Sequence, residues 1–210
     1  MPSMTRKPSS AGSRRQAVAE QVYDAVERLL TEGESYTELS VQRIIDAAGI
    51  ARSTFYAHFP DKSHLLRRLA DRMRQDVYEL GDAWTRMDNS LPGLVQTFEK
   101  AVAFYRAHQP VLAAINQTAV YEPSLRDFFS SGLEPFQARV TEHLRERQAA
   151  GLTDPGLDPV KAARIVVVGG AQAIADHIEC DGAGEDSAFA RELAMTWWFG
   201  TYSRPVTPVR

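Results

Sequence analysis

The segment GIARSTFYAHF, residues 49–59, places hydrogen-bonding side chains and aromatic rings together on a short helix. At 3.6 residues per turn, Phe55 and Phe59 fall on one face of that helix, where they can pack against a core. Ser53 and Thr54 point the opposite way. A helix can enter a DNA major groove closely when its leading side chains are short and can form hydrogen bonds. The pattern therefore indicates a nucleic-acid recognition helix, with an ordinary polar surface helix as the alternative.

Three other residues of this region have side chains suited to contact DNA. The Arg52 guanidinium can form a bidentate pair with a guanine edge. Tyr56 can bind a phosphate or contact a thymine methyl group. Lys62 falls in the first turn of the following helix, where free backbone N–H groups favour a phosphate. The joint pattern favours DNA binding over a solvated helix face more strongly than any one residue does.

The flanking sequence predicts the elements that would position this helix. Apolar residues at helical spacing predict a first helix over residues 14–32. Ser40 is placed to cap a second, short helix that ends at Gly49. The third helix runs over residues 52–59 and stops at Pro60. Two short helices joined at a glycine, with a helix before them, form a helix-turn-helix pattern.

The remainder of the chain also reads as helix, so the predicted fold class is all-α. Asp61 is placed to cap a long fourth helix, whose apolar stripe reaches Trp84 and so joins two structural units. Pro135 is expected to kink or divide the helix that contains it. Further helices are predicted over residues 92–108, 110–121, 124–150, 159–180 and 187–202.

Charge is distributed unevenly along the 210 residues. The net charge is −3, but residues 1–74 carry +3 and residues 75–210 carry −6. The first 15 residues hold four basic side chains and no acidic one, which is typical of an anion-binding arm and equally of a disordered tail. A single cysteine, Cys180, excludes an internal disulfide and a multi-cysteine zinc site. With no secretory signal and no apolar stretch of membrane-spanning length, we expect a cytoplasmic protein.

GIARSTFYAHFPDKSHLL resembles the DNA-binding signature of the TetR (tetracycline-repressor-like) family of bacterial regulators. The resemblance covers about residues 14–70. It implies an N-terminal three-helix helix-turn-helix domain followed by a C-terminal helical ligand-binding and dimerisation domain. Two residues depart from the family pattern. Ala51 replaces a frequent capping serine, so the recognition helix is expected to start later or to be capped less firmly, and Ile45 replaces an alanine in the core.

The resemblance implies a role for individual residues. The base-side contacts expected from it are Arg52, Ser53 and Tyr56. The expected phosphate contacts are Ser40, Thr54, His58 and Lys62, with Arg14 and Arg15 reaching the backbone or minor groove. His58 has an equal alternative, which is local packing beside Phe59.

The resemblance also implies three regions: a basic flexible arm over residues 1–13, the DNA-binding domain over 14–62, and the ligand-binding and dimerisation domain over 63–210. Aromatic and polar residues of the third region are candidates to line an effector pocket, although most rings there are expected in the core. The candidates are Trp84, Tyr105, Asn116, Tyr121, Phe128 and Gln172. Small and aromatic residues of the last two helices predict a four-helix dimer interface, with packing inside one subunit as the alternative. They are Gly169, Gly170, Ala173, Trp197 and Trp198.

Enzyme motifs are absent from the sequence: it contains no Gly-rich phosphate loop, no HExxH and no GxSxG. Asp176, His177, Glu179 and Cys180 do not share one helical face, so no metal site is expected there. We therefore expect no catalytic residue and no cofactor. The predicted partners are a palindromic double-stranded operator, a small, largely hydrophobic effector and a second copy of the chain, but no membrane. The predicted function is a homodimeric repressor; the alternative is a helical ligand-binding or enzymatic protein with a vestigial helix-turn-helix.

Overall fold

The computed structural model of the chain describes residues 10–87, 89–122, 125 and 131–206, and these residues form helices joined by turns. The α-helices are α1 (Ser10–Thr31), α2 (Val41–Ala48), α3 (Arg52–His58), α4 (Lys62–Met87), α5 (Leu91–Ala107), α6 (Gln109–Tyr121), α7 (Glu134–Ala149), α8 (Pro159–Cys180) and α9 (Asp186–Trp197). A π-helical turn, Trp198–Tyr202, follows α9. The all-α prediction is confirmed.

Helices α2 and α3 form the predicted helix-turn-helix. The Ser40 hydroxyl caps α2 by accepting a hydrogen bond from the backbone N–H of Arg43 at 3.1 Å. Gly49 ends α2 with φ 65°, a left-handed conformation that other residues adopt at a cost. Ala51 occupies the cap position of α3 without a side-chain hydrogen bond, so the weaker capping expected there is present.

A buried cluster holds α3 in place. Phe55 and Phe59 are almost completely buried, and their ring centroids lie 5.5 Å apart. The edge of Tyr23, from α1, meets Phe59 with a centroid distance of 5.9 Å. The same cluster includes Leu65, Leu66 and Leu69 of α4 and three residues of α6: Val111, Ala114 and Ile115. We call residues 10–69 the head; its core continues into α6, beyond the predicted boundary at residue 62.

Helix α4 connects the head to a second buried cluster. Its 26 residues extend over about 39 Å at 1.5 Å per residue. Its first turns, through Met73, contribute to the head cluster, whereas Trp84 near its end joins a cluster formed by α5, α7, α8 and α9. One continuous helix therefore belongs to both cores.

Several element boundaries differ from the predictions. Helix α1 begins at Ser10, so the backbone of residues 10–13 is helical rather than part of an arm; residues 1–9 lie outside the described part of the chain. Turn residues 132 and 133 precede α7, which begins with Glu134 and Pro135, so Pro135 divides the helix predicted over 124–150. Among the described helices, none has the length and apolar content to cross a membrane.

Candidate DNA-binding surface and ligand cavity

The exposed face of α3 carries the three residues expected to contact bases. Arg52 and Ser53 are exposed, and Tyr56 retains 42% of its surface. Arg52 lies over the Tyr56 ring at 5.4 Å and donates a hydrogen bond from Nη1 to Gln42 Oε1 at 3.3 Å. These exposed contacts orient the guanidinium without burying it. Phe55 holds the opposite face of the helix in the core, so the structure positions the polar face outward.

The residues expected to contact phosphates have more varied surroundings. Arg14 and Arg15 are exposed near the start of α1, and Arg15 Nη2 donates to the Ala57 carbonyl at 3.4 Å. Ser40 is exposed at the start of α2 while its hydroxyl caps that helix. Thr54 is half-buried on α3. Helix starts combined with exposed cations suit contact with a DNA backbone.

His58 has an environment that favours the neutral imidazole. Burial lowers its pKa, and the charges of Arg15 and Arg68 lower it further. Its ring lies beside Phe59, with centroids 6.0 Å apart. A neutral ring gives a phosphate at most a hydrogen bond, so the local-packing alternative describes His58 better than a charged contact does.

Lys62 has a different role from the phosphate contact expected of it. Its ammonium donates to the carbonyl oxygens of Tyr36, Thr37 and Leu39 at 2.7, 3.0 and 2.8 Å. An ammonium has three N–H donors, and all three are used. The Tyr36 hydroxyl in turn donates to the Lys62 carbonyl at 2.6 Å. Lys62 therefore ties α4 to the loop before α2, and no donor remains for a phosphate.

An apolar cavity of about 390 Å³ lies in the C-terminal half. Its walls come from α4, α5, α7, α8, α9 and the π-helical turn. Residues that line it include Val77, Tyr78, Trp84, Leu94, Phe98, Tyr105, Phe136, Val140, Val167, Ile174, Trp197 and Tyr202. An apolar enclosure of this size is typical of a small-molecule site.

Two of the six pocket candidates lie at this cavity, Trp84 and Tyr105. Three of the others lie elsewhere in the structure. Asn116 lines a separate recess of about 100 Å³ beside α8. Tyr121 is 80% exposed, and Gln172 is exposed, donating to Asp176 Oδ1 at 2.8 Å. Helix α6, which carries Asn116 and Tyr121, contributes no lining residue, and the rotation of α8 turns Gln172 away while Gly170, Ala171 and Ile174 line the cavity. Phe128 lies outside the described residues.

Most polar groups of the cavity wall are already paired. Trp84 Nε1 donates to the Ser90 carbonyl at 2.9 Å, and the Tyr78 hydroxyl donates to the Gly132 carbonyl at 2.9 Å. By contrast, no hydrogen bond joins the hydroxyl groups of Tyr105 and Tyr202 to a described residue. Burial raises the pKa of Tyr105 to about 12 and raises that of Tyr202 as well. Both remain protonated at neutral pH and can pair with a polar group of a ligand.

The predicted dimer residues divide between the interior and the surface. Trp197 is 5% exposed and meets the Phe98 ring at 5.1 Å. A Cβ on Gly170 would lie 3.0 Å from the Trp197 ring, so this pair packs inside the subunit, as the alternative to an interface position had it. Trp198 is half-buried beside Arg147, whose guanidinium lies 5.0 Å from the ring centroid. Gly169 is exposed with open space above it.

The exposed face of α8 carries apolar residues that the dimer prediction missed. Ile165 is 71% exposed and Val168 is 43% exposed, and they lie three positions apart beside Gly169. Phe199, in the turn after α9, belongs to the aromatic segment from which the interface was predicted, and it is half exposed. Spacing along α8 could have identified this face, because residues 165, 168, 169 and 172 recur at helical intervals.

His177 belongs to a buried polar network that sequence reasoning did not find. Its ring nitrogens lie 3.0 Å from Asp181 Oδ2 and 2.9 Å from Asp186 Oδ1. Arg106 makes two hydrogen bonds to Asp186, and hydrogen bonding with that guanidinium lowers the Asp186 pKa. The Phe189 ring stacks on His177 at 4.1 Å. The network connects α5, α8 and α9; within the described part of the chain, no cluster of His, Cys, Asp and Glu has a metal-binding arrangement.

Known proteins resemble this chain in sequence and in fold. Residues 23–69 match the model of the tetR family of bacterial regulatory proteins. The HTH-type transcriptional regulator EthR of Mycolicibacterium smegmatis is 26% identical over 170 residues, covering 74% of this chain and 75% of that protein. The solved structure of FadR from Bacillus subtilis in complex with stearoyl-CoA has a TM-score of 0.68 at 19% identity, covering 85% of this chain and 96% of that one. The fatty acid degradation regulator FadR from Bacillus halodurans has a TM-score of 0.67 at 18% identity, covering 96% and 100%.

The matched segment contains the helix-turn-helix and its recognition helix. Residues 23–69 run from the middle of α1 through the recognition helix to the first turns of α4. The structural matches extend over the C-terminal half as well, which carries the cavity. Residues 23–69 of this chain therefore match a DNA-binding domain of the tetR family of bacterial regulatory proteins, and the helical half that follows shares the fold of the solved structures named above.

Proposed function

We propose that the protein is a homodimeric repressor that binds a palindromic operator in the bacterial cytoplasm and leaves it when a small, largely apolar effector fills the cavity. The observation that carries the proposal is that helix α4 contributes residues to both the head and the wall of the cavity. Leu65, Leu66 and Leu69 lock its first turns into the head, whereas Val77, Tyr78 and Trp84 line the cavity. A ligand that fits one position of α4 better than another shifts the population of head positions.

The paired heads determine whether the operator is bound. Two recognition helices of a dimer fit successive major grooves when they lie about 34–36 Å apart. A shift of α4 changes that separation, and neither base contact forms properly in the displaced state. We propose base contacts by Arg52, Ser53 and Tyr56. Backbone contacts come from Arg14, Arg15, Thr54 and the start of α2 at Ser40.

Exposed apolar residues of α8 and of the turn after α9 support dimerisation. Ile165, Val168 and Phe199 expose more apolar surface than a helix pair needs within one subunit, and Gly169 allows a second helix to approach closely. A self-complementary, two-fold interface would bury these residues. The double variant Ile165→Glu and Val168→Glu should sediment as a folded monomer. Lys100→Glu, on the exposed face of α5, is the matched control and should leave the dimer intact.

The test of function is a binding assay with the DNA that flanks the protein's own gene. The purified dimer should bind one duplex selectively, and affinity should fall steeply as salt increases because phosphate contacts release counterions. The monomeric double variant should lose this selective binding. If the folded dimer binds no sequence selectively, the helix-turn-helix is vestigial and the protein is a helical ligand-binding protein instead.

A further inference from the structure

A second cavity, rich in arginine, lies between the head and the C-terminal half. Its volume is about 1070 Å³, and its walls come from α1, α4 and the start of α7, with His58 at the end of α3. Five arginines line it against two acids, Glu20 and Asp71, although the whole chain has a net charge of −3. The five are Arg15, Arg68, Arg72, Arg74 and Arg139. We call this cavity the arginine cleft.

The charges of the cleft are only partly neutralised. Arg72 Nη1 lies 2.6 Å from Glu20 Oε2, and Arg74 pairs with Asp71. Among the described residues, neither Arg15 nor Arg68 has an acidic partner within ion-pair distance; Arg15 makes one long contact with a backbone carbonyl. A cleft with excess positive charge and planar donors suits a phosphate-bearing group.

The arginine cleft and the apolar cavity share a wall. Tyr78 and Arg139 line both of them. The rings of Tyr78 and Phe136 stack in parallel at 4.8 Å, and the Arg139 guanidinium lies 5.6 Å and 5.8 Å from their centroids. Arg139 also pairs with Asp82 at 3.0 Å. Gly81 allows Phe136 to approach closely, because a Cβ there would lie 3.0 Å from the ring.

We propose that the two cavities form one bipartite site for an anionic amphiphile. The apolar tail of this ligand occupies the apolar cavity, and its phosphate group occupies the arginine cleft. The stacked rings of Tyr78 and Phe136 separate the apolar tail of the ligand from its phosphate group, and Arg139 lies at the boundary. This inference rests on the proposed effector function and specifies the chemical class of the effector. An acyl chain on coenzyme A and an acyl chain on a lipid phosphate share this chemistry.

The place where the phosphate group binds affects regulation as well as affinity. Helix α1 and His58 belong to the head, whereas Arg139 belongs to the C-terminal half. A polyanion between them attracts arginines from both sides, and this changes how the head sits on the cavity-bearing half. An apolar ligand without a charged group fills the tail cavity but lacks that interaction.

Tryptophan fluorescence measures binding directly, since Trp84 and Trp197 line the apolar cavity. The probes are decanoyl-coenzyme A, decanoyl lysophosphatidic acid, free coenzyme A and decanol. The two amphiphiles should bind at least about ten-fold more tightly than decanol, since a charge-assisted hydrogen bond contributes that much. Free coenzyme A should bind weakly. The amphiphile that binds more tightly shows whether the phosphate group belongs to coenzyme A or to a lipid phosphate.

Two variants distinguish binding of a phosphate group in the arginine cleft from a general effect of charge on the ligand. Arg68→Gln should weaken amphiphile binding at least about ten-fold and leave decanol binding unchanged. Lys100→Gln, which removes an exposed charge from α5 outside both cavities, should change neither. Melting temperatures of both variants should match that of the parent protein, which shows that folding is intact.

Four outcomes overturn the bipartite site. The first is that decanol binds as tightly as the amphiphiles, and the second is that Arg68→Gln has no effect on amphiphile binding. The third is that free coenzyme A binds as tightly as its decanoyl ester. The fourth is that Arg68→Gln loses salt-dependent DNA affinity while keeping its ligand affinity. The last result makes Arg68 a DNA phosphate contact. Failure of the regulatory proposal is distinguishable, because the fluorescence readout needs no DNA: an amphiphile that binds with the expected selectivity but leaves the operator complex intact supports the site and overturns effector release.

Discussion

The head and the cavity-bearing half differ in how far apart along the chain their functional residues lie. In the head, Ser40, Gly49 and Phe55 fall within 16 residues and determine two helices and the turn between them. Around the cavity, Val77 and Tyr202 line the same space although they are 125 positions apart. The head's recognition face follows from local rules, whereas the cavity depends on how five helices and a turn pack.

The two regions also differ in how completely they are packed. Phe55 is fully buried in the head cluster. Phe98 is buried in the second cluster but faces an open cavity of about 390 Å³. A filled core holds α3 in one position, whereas a core with internal space can accept a ligand. The difference is consistent with a rigid reading element joined to an adaptable sensing element.

The largest expected effect compares these two phenylalanines. Phe55→Ala should lower the free energy of unfolding by about 3–5 kcal/mol and abolish operator binding, because it opens a cavity in a filled core. Phe98→Ala should cost less, since part of its surroundings is already empty. Urea denaturation followed by circular dichroism measures both. Equal losses would contradict the difference in packing between the two regions.

Arg52 provides a prediction about the surface of the head. Arg52→Ala should weaken binding to the cognate operator by about 1–3 kcal/mol and relax preference at one base position, because it removes a pair to a guanine edge. Its side chain is exposed, so the melting temperature should stay unchanged. Competition between cognate and scrambled duplexes checks this. If both duplexes lose affinity equally, Arg52 contacts only phosphate.

Sequence reasoning was most successful where the determinants are local. The Ser40 cap, the end of α2 at Gly49 and the start of α3 at Arg52 all lie as predicted, because each depends on a few neighbouring residues. Trp84 and Tyr105 lie at the cavity, but Gln172 does not, although Gly170, Ala171 and Ile174 of the same helix line it. A helical wheel gives the relative angle of two residues on one helix. It does not give the rotation of that helix against its neighbours, which packing determines.

Two further differences have the same cause. Tyr202 and Arg139 were missed at the cavity because their positions depend on a π-helical turn and on where α7 begins after Pro135. Lys62 was interpreted as a phosphate contact from its place at a helix start. The carbonyl groups that bind its ammonium come from residues 36–39, more than 20 positions earlier. A local pattern identified the residue but not its partners.

Lys62 therefore provides a test of the head's internal structure. Lys62→Met should lower the free energy of unfolding by about 1–3 kcal/mol, because it leaves three carbonyl groups without their donor. The salt dependence of DNA binding should keep its slope, since no phosphate contact is lost. Binding assays at several salt concentrations, under conditions where the variant is folded, measure the slope. A slope reduced by about 1 would restore Lys62 as a phosphate contact.

The smallest expected effect compares the caps of the two helices in the helix-turn-helix. Ser40 caps α2 through its hydroxyl, whereas Ala51 has the same extended backbone conformation at the start of α3, with φ −75° and ψ 149°, but no side-chain acceptor. Ala51→Ser should therefore stabilise the protein by about 0.5–2 kcal/mol, and Ser40→Ala should destabilise it by a similar amount. Thermal denaturation of both variants measures the pair. Because Ala51 adjoins the recognition face, DNA affinity discriminates further: a serine that only caps α3 raises the melting temperature and leaves base preference unchanged. A loss of stability on Ala51→Ser would mean that the start of α3 is held by packing of Phe55 alone and gains nothing from a cap.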